Sequence, residues 1–226
     1  MADIKKEKAA QAPEQTLTQN EAFVLKYKNQ IIGCVAALVL IVAGVILWKS
    51  YYSAPRQEKA STEISKAQEL FGYQEYETAL NGDSLGTVKG FLQIANEYGS
   101  TDAGNLAKLY AGLCYAQMGQ WQKAADYLKQ FDTKNDQMIS PAAEAALGNA
   151  LAHLEKLDEA VKHLTKAAEM ADNNTESPIF LIQAGEILES QGKKAEALKL
   201  YKQVKEKYFQ SAQYQSIDAY IERASE

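Results

Sequence analysis

The sequence predicts an all-α protein in which a single N-terminal transmembrane helix is followed by an α-solenoid of paired helices. Three observations carry this. An uncharged apolar run occupies Ile31 to Trp48 near the start of the 226-residue chain. Downstream, three segments align on Gly112, Gly148 and Gly185, at intervals of 36 and 37 residues. Each aligned segment reads as a helix, a short polar turn and a second helix, the signature of a stacked repeat array.

Bulk properties bound the class of function. The charged and hydrophobic shares, 23% and 46%, are those of a folded protein. A net charge of −5 leaves no basic face to neutralise phosphates, so nucleic acid is not an expected partner. The two cysteines, Cys34 in the apolar run and Cys114 in a repeat, define no disulfide framework and leave the redox compartment open.

The parts follow in order. Residues 1–17 mix Lys, Glu, Ala and Gln with almost no large apolar side chain, a composition that cannot offset the entropy of ordering, and are expected to be a disordered tail. Residues 18–52 form the juxtamembrane turn and membrane helix. Thr18 and Glu21 have capping-box spacing, and Phe23, Val24 and Tyr27 either lie along the membrane surface or form the first turns of the spanning helix. The core, Ile31 to Trp48, has eighteen residues and as a helix covers roughly 27 Å, close to the thickness of a hydrocarbon layer. Tyr27 on one side and Trp48, Tyr51 and Tyr52 on the other place amphipathic rings at headgroup level. A cleaved signal peptide is disfavoured by the long preceding segment and by Pro55 after the one small-residue site. The Ile31-Ile32-Gly33-Cys34 tetrapeptide is no lipidation box, since the apolar stretch follows Cys34. Lys26 and Lys28 flank one end, and Lys49, Arg56 and Lys59 the other, so charge alone leaves the orientation open.

Residues 53–100 are read as a linking helix and a degenerate first repeat, 101–210 as three full repeats and 211–226 as a C-terminal capping helix. In the full repeats Gly112, Gly148 and Gly185 fall where two helices of a unit approach, and Ala124, Ala160 and Ala197 are the small partners on the second helix. Tyr115, Leu151 and Leu188 fill the space one turn on. Leu128, Leu164 and Tyr201 sit one turn after the alanines, as knobs between units. Phe91, Leu128, Leu164 and Tyr201 recur at 37, 36 and 37 residues, which extends the array upstream. Gly119 and Gly192 supply turns, and Ser140-Pro141 and Ser177-Pro178 are expected to open first helices as N-cap and N1 residues. Ile217, Tyr220 and Ile221 give the last helix one apolar side, as a terminal cap requires.

No phosphate loop, cysteine pair with metal spacing or nucleophile beside a base is found, so no catalytic, cofactor or metal residue is assigned and no enzymatic activity is expected. His153 and His163, the only histidines, read as surface or groove packing. The lysine and glutamate runs read as solvated helix faces.

Over roughly Asn105 to Phe209 this pattern resembles the tetratricopeptide repeat, whose unit is about 34 residues, the extra residues falling in loops near Thr133 to Met138 and Asp172 to Thr175. The resemblance implies a concave groove lined by first helices that binds protein segments rather than a small-molecule substrate. Candidate groove residues are Leu106, Leu109, Leu113 and Gln117, then Asn149 and His153, then Ile179, Ile182 and Glu186. Related domains that grip C-terminal carboxylates use Lys and Asn, but the matching positions here are Leu109, Leu113, Ala146, Ile179 and Gln183. The groove either receives an apolar client segment or is filled by the helix within 57–80.

Taken together, charged tail, single anchor, degenerate helix and repeats resemble the YfgM-like family of ancillary Sec translocon subunits, over residues 20–226. That resemblance implies a bacterial inner-membrane protein with its large domain in the periplasm, associated with translocon subunits and handling exported client proteins with periplasmic chaperones. Tyr98-Gly-Ser-Thr-Asp-Ala also resembles the inter-repeat turn of periplasmic tetratricopeptide proteins of outer-membrane assembly. Two alternatives remain, a structural scaffold joining membrane complexes and a regulatory adaptor facing the cytosol.

Overall fold

A computed structural model describes residues 19–226, with side chains from residue 26 onward. The 1–17 tail and the Thr18–Glu21 capping box fall outside the described side chains. The chain divides into two units, at Tyr52 and Ser53.

The first unit holds α1, Gln19–Trp48, a 30-residue helix. It is long and apolar enough to cross a membrane. Among its described side chains, from residue 26 onward, no apolar one is buried, Leu40 being 73% and Ile41 66% exposed. A π-helical stretch, Lys49–Ser53, follows. The next residues are Ala54 and Pro55, and a proline removes the amide that would bond four residues back and crowds that carbonyl.

The second unit is built of helical hairpins. Its helices are α2 (Ala54–Gly72), α3 (Tyr76–Asn81), α4 (Phe91–Glu97), α5 (Asp102–Gln117), α6 (Trp121–Leu128), α7 (Ile139–His153), α8 (Leu157–Ala171), α9 (Ser177–Ser190), α10 (Lys194–Lys207) and α11 (Ile217–Ser225). Each helix packs on the next, as in α5 on α6, α7 on α8 and α9 on α10. No β-strand occurs among the described residues, only an isolated bridge between Gly82 and Lys89.

Four turns have one geometry. Gln74, Gly119, Glu155 and Gly192 all have positive φ, at 64°, 73°, 59° and 75°. Their amides donate to Phe71, Ala116, Ala152 and Glu189, and the following amides donate to Leu70, Tyr115, Leu151 and Leu188. This paired pattern is the Schellman motif that ends a helix. Counting from these turns, Ala67 stands in the first hairpin where Gly112, Gly148 and Gly185 stand in the others, and Ala79 where Ala124, Ala160 and Ala197 stand. The first hairpin is therefore a repeat whose second helix is split into α3 and α4 by the loop 82–90. That loop is closed by Asp83, whose carboxylate accepts from Val88 N at 2.9 Å and from the Thr87 hydroxyl. A Cβ on Gly90 would run into the Leu80 carbonyl, so the chain re-enters the helix only with glycine there.

The repeat glycines do a different job from facing alanine side chains. A Cβ on Gly112 would lie 2.6 Å from Leu128 Cγ, one on Gly148 2.9 Å from Leu164 Cγ, and one on Gly185 against the ring of Tyr201. The missing side chain makes room for the large residue one turn after the alanine, inside the same hairpin; the alanines are fully buried beside it. Tyr115, Leu151 and Leu188 are buried in the core as well.

The Ser-Pro pairs are not N-caps. Ser140 and Ser177 lie within helices whose capping positions are Met138 and Glu176. Side chains four residues earlier accept from the amides that lead into each helix instead. Asp136 accepts from Met138, Ile139 and Ser140, and Asn173 accepts from Thr175 and Glu176. The longer reach of an Asx side chain over a tight loop meets several amides at once. Ser177 donates back to the Ala168 carbonyl at 2.8 Å, tying α9 to α8. Thr101 does cap α5, accepting from Gly104 N at 3.0 Å.

At the far end residues 211–216 are not part of the last helix; a 3₁₀ turn, Ala212–Gln215, precedes α11. Ile217 is fully buried, and Tyr220 packs on Tyr201 with ring centroids 5.3 Å apart. Arg223 binds the Glu189 carboxylate, which also accepts from the Tyr201 hydroxyl at 2.8 Å. Burial, and then Glu189, push the Tyr201 hydroxyl well above the ordinary tyrosine range, so it remains a donor.

Candidate partner groove

An open groove of about 680 Å³ runs across α5, α7 and α9, the first helices of the three full repeats, with Trp121 of α6 at one side. First helices face it because the second helices bury their alanine stripes against the glycine side of α5, α7 and α9. Of the sequence-predicted residues it brings together Leu113, Gln117, Asn149, His153 and Glu186. Four others lie elsewhere. Leu109 and Ile182 are 6% and 8% exposed and belong to the core. Leu106 lines a separate cavity of about 380 Å³ with Ile64, Phe131 and Ile139. Ile179 is exposed but does not line the groove. One helical turn of rise carries a row of residues around the axis as well as along it, so a straight reading of every third or fourth residue leaves the groove at both ends.

Helix α2 does not fill the groove. It packs on α3, α4 and α5 as the first helix of the first hairpin, and none of its residues lines the cavity.

The groove floor is apolar, with Leu113, Ala146, Ala150 and Ile187. At its edge the indole of Trp121 stacks on the imidazole of His153, ring centroids 3.7 Å apart and planes at 4°. Trp121 escapes a sequence reading that seeks groove residues on first helices only; its place two residues after the Gly119 turn is the signal that marks it. Gln117, Asn149, Gln183 and Glu186 make no side-chain hydrogen bond among the described residues, and Gln183 Oε1 is buried without a partner.

Behind the groove, Glu144 of α7 meets His163 Nδ1 at 2.8 Å and Lys166 Nζ, both on α8. Burial raises the Glu144 pKa, but the Lys166 and His163 hydrogen bonds outweigh it, and the carboxyl lies below the usual glutamate range. This cluster joins the two helices. Burial pushes the Cys114 thiol up to about 12, which keeps it protonated and unreactive. Among the described residues no three His, Cys, Asp or Glu side chains are grouped to hold a metal.

A family model described as a tetratricopeptide repeat-like domain matches residues 21–222, taking in the apolar helix as well as the repeats. Two crystal structures of nearly identical TPR-like repeats from Podosopora anserina, one of them a single-substitution variant and both described as from a kinesin light chain, are similar in fold. Each is 14% identical with a TM-score of 0.56, and the match covers 74% of this chain and 85% or 86% of the other. No curated protein matches the sequence.

Proposed function

The chain belongs to the tetratricopeptide repeat-like domain family, and from that premise we propose that it is a membrane-anchored adaptor that handles exported proteins at the periplasmic face of a bacterial inner membrane, as an ancillary subunit of the Sec translocon. Such repeat folds mediate protein–protein interaction. The observation that carries the proposal is the pairing of an uncovered apolar helix with an open groove in one chain. The groove meets a protein segment, and the anchor holds that encounter at the membrane, where the effective concentration of emerging chains is high. The family match across both parts supports reading them as one functional unit, and the order of parts resembles that of the YfgM-like translocon subunits.

The test is a reporter active only outside the cytoplasm, fused after Glu226 and assayed in cells. Strong activity is expected. An intact fusion without activity would contradict the periplasmic adaptor and leave the cytosol-facing adaptor in its place.

A further inference from the structure

We propose that the occupant of the groove is an extended polypeptide segment that presents a lysine or arginine to Glu186 and a backbone N–H to Gln183. This rests on the groove being the partner site, and it names the partner's chemistry. Glu186 is the only Asp, Glu, Lys or Arg in the lining, it is exposed, and it makes no ion pair among the described residues. No lysine or arginine of the lining balances it, so the groove carries an uncompensated negative charge of the kind that selects a cationic partner. Gln183 Oε1, one turn before it on α9, is a buried acceptor with no partner. A buried acceptor without a hydrogen bond costs free energy until a donor arrives, and an extended backbone supplies N–H donors at regular intervals. Gln117 and Asn149 stand unpaired across the groove, and Leu113 and Ile187 offer apolar contact between these polar points. A partner with a free carboxylate would instead meet Glu186 as a like charge.

The experiment measures binding of two labelled, end-capped ten-residue peptides to the full chain in lipid nanodiscs by fluorescence anisotropy. One peptide alternates Leu and Arg, the other Leu and Glu. The Arg peptide is expected to bind at least about fivefold tighter, since exposed charge pairs contribute modestly and reversal replaces attraction with repulsion. Glu186→Lys should invert that preference, and Gln183→Leu should weaken both peptides. Equal binding of the two peptides, abolished in each case by filling the groove with Asn149→Trp, would overturn this inference and leave the groove as the partner site. Binding of both that Asn149→Trp leaves unchanged would overturn the groove reading itself.

Discussion

Gly112 lies under Leu128 so closely that a methyl on the glycine would sit 2.6 Å from Leu128 Cγ. The same relationship joins Gly148 to Leu164 and Gly185 to Tyr201, so each full hairpin is closed by a large side chain seated on a bare backbone.

Gly148→Ala should therefore destabilise the repeat domain by about 1–3 kcal/mol, the usual cost of overpacking a core. Leu164→Ala removes the obstructing atoms at a cost of its own, roughly 2–5 kcal/mol. In the double variant the nearest obstruction, Leu164 Cγ, is gone and only the Ala160 carbonyl, 3.1 Å away, and the backbone amide of residue 164, 3.3 Å away, still crowd the methyl, so the two costs should fall short of additive. Urea midpoints for the four chains check this; strict additivity would contradict the seating of Leu164 on Gly148.

Glu155 and Gln74 hold left-handed backbone that glycine holds at the equivalent turns. Glu155→Gly should stabilise the domain by about 1 kcal/mol by relieving that strain, and Gly192→Ala should cost a similar amount. Thermal melts of both variants test the pair, and a loss of stability in Glu155→Gly would contradict the turn geometry.

The Glu144 carboxylate is stabilised in the fold, so its contribution is present above the unfolded glutamate pKa of about 4.3 and is lost as pH falls through its lower folded value. Glu144→Gln should cost roughly 1–3 kcal/mol at pH 7. The gap to the native chain should narrow as pH drops below about 5. Denaturation curves at pH 7 and at pH 3.5 decide it, and a gap that widens toward acid would contradict the sign.

Cys114 is fully buried and its thiol is pushed up to about 12 by that burial. Iodoacetamide should leave Cys114 unmodified in the native chain and alkylate it once urea exposes it, as mass spectrometry of the peptide containing it will read. Rapid native alkylation would contradict a closed core at the last turn of α5.

Much of the fold is legible in the sequence because the repeat imposes residue types. The spacing of Gly112, Gly148 and Gly185 marks the hairpins, and the charge-free run marks the apolar helix. Two turns are hidden because Gln74 and Glu155 adopt backbone angles that composition assigns to glycine. The split of the first repeat is hidden for a related reason: the loop 82–90 adds eight residues between Ala79 and Phe91 beyond the spacing of the other units, yet Phe91 still falls 37 residues before Leu128. The Ser-Pro pairs mislead because each helix begins before or at its serine, with Asp136 and Asn173, four residues earlier, accepting from the amides that lead into it. In the groove, Leu113 and Asn149 can be named from helix position, whereas the burial of Leu109 and Ile182 depends on how neighbouring hairpins pack, which a single helical period does not encode.

Under the proposed function, the groove across α5, α7 and α9 receives exported polypeptide at the membrane. This is tested most directly by placing a photo-crosslinking amino acid at Asn149 in the groove, or at exposed Lys162 on α8, and irradiating cells during active secretion. Adducts with secreted and outer-membrane proteins should form at Asn149 and not at Lys162. Equal adducts at both positions, or adducts at Asn149 with cytosolic proteins alone, would contradict it.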